Sequence, residues 1–367
     1  FIISSWQFSE GVAHEHATSP ASFEQSTWYH CQRDADGLRE WLHSNTVPNA
    51  IIDSLITDDT RPRFEQFGHD CFLMILRGIN LNEGANPDDM LSLRILWYKG
   101  TLISTRKVPS KAVSNLISDL KQNQGPTSLP DVLLVMIRGI NHSISTFLVP
   151  VELLIDELES TSNIDIRSIN ALHSRLLRLR RYLKPQKYVF EDLMSDLPVP
   201  LSKHNSHIKN SLDTILRINE SVEFYIEQIN VFLASLSQQQ AEKMGLWLQK
   251  MHAPSGLLVS PYVRAQQTAE AVKKSNRFLF EETCHDIIPE GNPQVAADYL
   301  ETLIALHPEC DTWLVVAHMP MVSYLVDQLC AGNMPIFNTG AVAQISYDEA
   351  SHKSDYITIN APANVTL

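Results

Sequence analysis

The 367-residue chain is short of positive charge: 29 Lys and Arg stand against 42 Asp and Glu, a formal charge of −13. Non-specific attraction to nucleic acid or anionic lipid comes from Lys and Arg, so neither is expected as a partner. Cysteine is scarce too. Five cysteines without paired spacing give no disulfide framework and no zinc-finger signature, and a reducing compartment is the default. No run of about 18 uninterrupted apolar residues occurs, so no membrane-spanning helix is expected. No basic, then apolar, then small-residue leader follows Phe1, and the start reads as a trimmed end. What is present suffices for sizeable cores. Apolar residues make up 44% and charged residues 19%, over a length that suits two or three domains.

Three textures follow one another: an α/β block over 1–145, long helices over 146–244, and a second α/β block over 245–367. In the first, 72–76, 91–98 and 101–105 read as strands, with a hairpin turning at Lys99-Gly100. Residues 34–43, 49–56 and 109–122 read as short helices, the last stopped by Gly125-Pro126. In the second, glycine nearly vanishes and helices are expected over 130–160, 166–194 and 203–250, with Pro185 kinking or ending the middle one. In the third, 257–259, 278–280, 313–317 and 342–347 read as strands, alternating with helices over 264–275, 293–306 and 320–331. Near-continuous apolar strands separated by helices indicate a mostly parallel sheet covered on both faces.

The last long helix carries a heptad seam. Ile208, Ile215, Val222, Ile229 and Leu236 recur every seven residues, and Leu212, Asn219, Ile226 and Leu233 follow each by four. Two readings stand: an intramolecular bundle, or a stalk that self-associates in a homo-oligomer.

Chemical signals in the first block are modest. Trp28-Tyr29-His30-Cys31 and Gly68-His69-Asp70-Cys71 each place His beside Cys, a pairing Zn²⁺ accepts. Neither has a spaced partner, which favours strand and core residues, and no metal ligand set is assigned. Arg175, Arg178, Arg180 and Arg181 face Glu152, Asp156, Glu157 and Glu159 on the preceding helix, as a solvated pair of helices would. Gly-Ile-Asn occurs at 78–80 and 139–141 and reads as chance turns. Taken in order, Thr60-Arg61-Pro62-Arg63 after Asp58-Asp59, Ile103-Ser104-Thr105-Arg106, Gly125-Pro126-Thr127 and Arg180-Arg181-Tyr182-Leu183-Lys184-Pro185-Gln186 resemble ZntB, the zinc-transport branch of the CorA family, over about 1–244. The resemblance implies an α/β/α cytoplasmic domain, a helical stalk, a pentamer, an inner-membrane parent and a divalent cation, Zn or Mg. The pore helices that would follow do not, so conduction is not expected.

Two strand ends in the last block look chemical. Val259-Ser260-Pro261-Tyr262-Val263-Arg264 puts an arginine in the first turn of a helix, and Val315-Val316-Ala317-His318-Met319-Pro320 ends a buried strand in histidine. Ligands of open α/β sheets bind beyond the carboxyl ends of strands, where an arginine fork suits a phosphoryl group. Ser260 to Ala269 and Ala317 to Val322 resemble the SixA phosphohistidine phosphatases of the histidine phosphatase, or phosphoglycerate-mutase-like, superfamily. That likeness makes Arg264 and His318 phosphate-binding positions, with a phosphohistidine protein as partner. The family's nucleophilic Arg-His-Gly is absent, and with it the first, central strand. The expected fold is therefore a CorA-like α/β/α domain with stalk, followed by an incomplete phosphatase domain. The expected function is cation sensing and oligomerisation with a catalytically silent phosphatase remnant; the alternative is an active phosphohistidine phosphatase acting on signalling proteins.

Overall fold

The computed structural model describes residues 1–16, 21–58, 61–160 and 166–367. Asp59, Thr60 and the side chain of Glu159, named above, lie outside the described residues. The chain forms two compact units, Phe1–Ile229 and Asn230–Leu367. They divide inside the third long helix rather than at 145 or 244.

The first unit is built on a seven-stranded mixed sheet of order β2-β1-β3-β7-β6-β5-β4. Its strands are β1 (Ile2–Ser9), β2 (Val12–Glu15), β3 (Thr27–Gln32), β4 (Arg63–Gln66), β5 (Cys71–Gly78), β6 (Leu91–Tyr98) and β7 (Thr101–Arg106). The hairpin lies where the sequence places it. Lys99 and Gly100 both take positive φ, 49° and 78°, as a tight two-residue turn between right-twisted strands requires. Only β3 and β7 pair in parallel. Helices α1 (Leu38–Ser44) and α2 (Asn49–Ile56) bury Leu38, Trp41, Leu42, Ile52 and Leu55 against Tyr29, Cys31, Leu73, Ile75, Leu96 and Ile103 of one sheet face.

The other face meets α4 (Leu129–Ser160), which packs on β5 and on α3 (Lys111–Lys121). Ser128 starts α4 as a capping residue: its Oγ accepts from Asp131 N at 3.4 Å and donates to the Asp131 carboxylate at 2.6 Å. Gly139 lies in mid-helix, so the second Gly-Ile-Asn is no turn. A Cβ there would sit 2.9 Å from that of Ala112, and glycine is what lets α3 and α4 approach. Leu129–Leu158 holds an 18-residue window of mean hydropathy 1.6, long and apolar enough to cross a bilayer by length and composition, against the expectation of none. Half of that window is buried in the unit's own core.

α5 (Ile166–Ser195) continues past Pro185 instead of ending early, and packs against β4 and β5. α6 (Asn205–Met251) is one continuous helix. In the first unit it meets α4 through Asn141 Nδ2 donating to Ser211 O at 3.3 Å, and α5 through Arg180 and Glu223 at 3.2 Å.

The second unit has a three-stranded parallel sheet, β10-β8-β9, from β8 (Gly256–Val259), β9 (Phe280–Thr283) and β10 (Trp313–Val316). β9 begins two residues later than the sequence pattern suggests. α7 (Val263–Lys273), α8 (Pro293–Leu306) and α9 (Met321–Leu329) accompany it. Asn292 caps α8, accepting from Gln294 N at 3.0 Å, with Pro293 in the first turn. β11 (Val342–Asp348) and β12 (Lys353–Asn360) do not join this sheet; they form an antiparallel pair of their own. The expected single sheet is thus two, and β10 pairs only with β8 among the described residues.

Candidate functional sites

In the second unit the register Val259↔Val316 brings the carboxyl ends of β8 and β10 side by side. Ser260 follows the first, its N–H donating to Val316 O at 2.9 Å, and His318 lies two residues beyond the second. Ser260 is fully buried, and its Oγ has no partner. His318 Nε2 is likewise buried and unpartnered. Burial first, then the nearby Arg264 guanidinium, hold the His318 imidazole below its ordinary pKa. The Tyr262 ring lies 5.7 Å from that of His318, and its hydroxyl donates to Glu290 at 3.3 Å. Gln266 ties the loop down by donating to Ser260 O at 2.9 Å. Arg264 therefore lies near enough to His318 for its charge to be felt there. Two buried groups with unused hydrogen-bonding capacity beside a cation suit an anion. Ser260, Tyr262 and Gln266 belong to the same motif as Arg264, and the strand register is what places them at the site.

Of the His-Cys pairs of the first unit, His30 and Cys31 are core residues, whereas His69 is exposed and Cys71 half-buried. His30 and Cys31 sit on β3, wholly buried, and alternation sends them to opposite faces. His30 Nδ1 meets Ser104 Oγ at 2.8 Å, and burial pushes the imidazole down to about 3. Cys31 joins the cluster beneath α1 and α2, and burial pushes its thiol up to about 12. Asp70 accepts from Trp97 Nε1 at 2.7 Å, and burial raises Cys71 to about 11. Among the described residues no group of three or more His, Cys, Asp or Glu could hold a metal ion.

The arginines of α5 have partners that spacing does not show. Arg175 and Arg178 both reach the buried Asp88 of the β5–β6 connection, Arg175 at 3.7 Å, and Arg180 pairs with Glu223. On α6, Ile208, Ile215, Val222 and Ile229 are buried within this single chain, while Leu212, Asn219, Leu233 and Leu236 are partly buried. Asn219 satisfies its amide locally, donating to Ile215 O at 2.8 Å. Four large apolar residues of α6 are exposed, Phe224, Val231, Leu246 and Met251; Phe224 (50% exposed) and Val231 (59%) stand one heptad apart beside the seam.

A family model described as CorA-like Mg²⁺ transporter protein matches residues 23–252. The zinc transport protein ZntB of Vibrio parahaemolyticus is 36% identical over 243 residues, 66% of this chain and 77% of that protein. The crystal structure of its cytoplasmic domain matches with a TM-score of 0.63, covering 66% of this chain and 99% of that domain. The divalent cation transporter CmaX of Pseudomonas aeruginosa is 30% identical over 229 residues, 60% of this chain and 69% of that one. The full-length CmaX structure shares the fold at 23% identity with a TM-score of 0.64, over 83% of this chain and 94% of that one. The histidine phosphatase SixA aligns with 35% of this chain and 81% of its own at 32% identity, but its TM-score of 0.32 is too low to support a fold.

Proposed function

The chain belongs to the CorA-like Mg²⁺ transporter family, and from that premise we propose that its first unit is the cytosolic, cation-sensing and oligomerising part of a ZntB/CorA-type zinc or magnesium transporter. The observation that carries this reading is the overlap with the Vibrio cytoplasmic domain, 99% of which this chain covers. The acidic balance suits a surface that concentrates cations. No compact ligand set lies within the described residues, so the cation is read as bound loosely or between copies. Beyond Met251 the helices have 11, 14 and 9 residues, against about 20 for a bilayer crossing. Conduction is therefore not assigned to this stretch, and its place is cytoplasmic, beside an inner-membrane pore. Self-association runs through α6. Its first heptad row is occupied inside the protomer as far as Ile229, so the copy-to-copy contact falls on Phe224, Val231 and the stretch through Leu236. Light scattering on the full chain should give a homo-oligomer, a pentamer if the resemblance extends to assembly, and Phe224→Asp should lower the mass. A monomer at tens of micromolar would remove the oligomeric reading.

A second activity is favoured by the orphaned Ser260 Oγ and His318 Nε2 beside Arg264. The second unit is read as a SixA-like remnant that binds a phosphoryl group or phosphate ion. With Arg-His-Gly absent it is taken as catalytically silent. Inorganic phosphate titrated against the full chain should bind to this unit, and Arg264→Ala should weaken that binding by about tenfold or more, as loss of a charge-assisted pair predicts. Phosphoramidate hydrolysis that disappears in Arg264→Ala would instead support the active phosphatase.

A further inference from the structure

A second concentration of arginine lies in the first unit, buried in the sheet. The register sets Arg94 of β6 opposite Thr105 of β7 and Ile75 of β5, and Thr105 opposite Cys31 of β3. Ile75 and Cys31 face α1 and α2, so Arg94 and Thr105 share that face. Arg33 follows directly after β3, its N–H donating to Arg106 O at 2.8 Å. Arg94 has no solvent exposure and Arg33 almost none.

Their partners do not balance their charge. Arg94 Nη1 donates to Ser54 O, at the last turn of α2, at 3.1 Å, and its Nε makes a long contact of 3.4 Å with Ser92. Arg33 Nη2 pairs with Asp58 at 3.2 Å, but that carboxylate is 67% exposed and is shared with Lys107 at the same distance. Arg33 Nη1, Arg94 Nη2 and Thr105 Oγ1 are buried with no partner. Unpaired buried charge is expensive, because the interior returns none of the lost hydration. Burial and the surrounding cations Arg33, Arg77 and Arg63 lower the Arg94 guanidinium to about 9.

We propose that this corner of the sheet is a binding site for a small inorganic oxyanion of the phosphate or sulfate class, held by Arg33 Nη1, Arg94 Nη2 and the Thr105 hydroxyl. A tetrahedral oxyanion offers acceptors to several donors at once and supplies the missing negative charge. Asp58 is the group it competes with: solvent already covers most of that carboxylate, so it can leave Arg33 at little cost. Entry past the exposed Asp58 carboxylate admits a bare ion before one that carries an organic tail, which favours a free ion over a phosphate ester.

The test uses the full chain carrying Arg264→Ala, so that the second unit's anion pocket is silent. Inorganic phosphate is titrated against chloride at matched ionic strength, read by thermal unfolding and by ³¹P NMR. The expected result is a saturable rise in the melting temperature with phosphate, absent with chloride, and a bound ³¹P signal. Arg94→Met should weaken phosphate binding about tenfold or more. It should melt no lower than its parent in chloride, because it also deletes an unpaired charge. If Arg94→Met fails to fold, Arg33→Gln serves for the same comparison. Equal response to phosphate and chloride, or phosphate binding retained in both variants, overturns the proposal. A benzyl phosphate that binds as well as phosphate overturns the preference for the free ion.

Discussion

Acidification from pH 6.5 to pH 3 should cost the first unit about 4 kcal/mol through His30 alone, and His30→Gln should abolish that share of the loss. Folded His30 titrates near 3 rather than 6.5, because burial and then Arg106 disfavour the imidazolium. Below pH 6.5 the unfolded chain takes up a proton that the folded chain refuses. The stabilisation is therefore complete above 6.5 and lost progressively as pH falls through the folded value. Between pH 6.5 and 4.5 that is about 2 kcal/mol. Asp34 and Asp58 contribute in the same direction, their carboxyls held low by hydrogen bonds from Gln32 and Lys107, but equally in both proteins. Urea unfolding followed by tryptophan fluorescence reads the first unit, which holds Trp6, Trp28, Trp41 and Trp97 of the six tryptophans. Identical pH slopes for wild type and His30→Gln would sink the assignment.

Where local chemistry and long-range packing agree, the sequence is readable. The β6–β7 hairpin is one case: two positive-φ residues at Lys99-Gly100 join apolar strands, and nothing elsewhere need be known. The long helices are another, because a 3.6-residue period persists over many turns. The failures have the opposite character. β1 and β2 went unread because their partners are non-local and their burial is uneven, with Val12 exposed and Trp6 buried. Pro185 failed as a stop signal because α5 buries Leu179 and Leu183 before it and Val189 and Phe190 after it, and packs on β4 and β5.

Sites divide the same way. Arg264 and His318 stand out in the sequence because each follows an apolar strand and strand ends converge in a parallel sheet; their phosphate-binding role is a proposal. Asp88 was not. It sits in a loop rich in Asn and Asp, and only the fold shows that it alone is buried beneath Arg175 and Arg178. The α6 seam was read correctly as a period, but a period does not say which surface covers it. Burial of Ile208 to Ile229 inside one chain answers for the first heptads and moves the exposed apolar face to Phe224 and Val231. Arg33 and Arg94 lay unnoticed because single arginines in separate strands carry no motif; register alone assembles them.

Gly256→Val should destabilise the second unit by about 3 kcal/mol or more while leaving the first unit's transition in place. Gly256 pairs with Trp313 across β8 and β10, and a Cβ on it would lie 2.5 Å from the indole. The indole is not free to yield. Phe280 stands 5.5 Å from it and His307 6.2 Å, with Phe280 and His307 in turn 4.0 Å apart, so a packed row of rings backs it. Among the described residues β8 is the central strand of three and β10 pairs with β8 alone, so displacing Trp313 pulls β10 from that partner. His318 follows β10 by two residues, so phosphate binding at Arg264 should fail together with stability. Trp313→Leu in the same chain should restore part of the loss, because it removes the ring that the new side chain strikes. Two-probe unfolding and limited proteolysis distinguish the units. A Gly256→Val chain whose second unit melts like wild type would show that the indole moves freely, and the three-ring row would then not be what holds this sheet end.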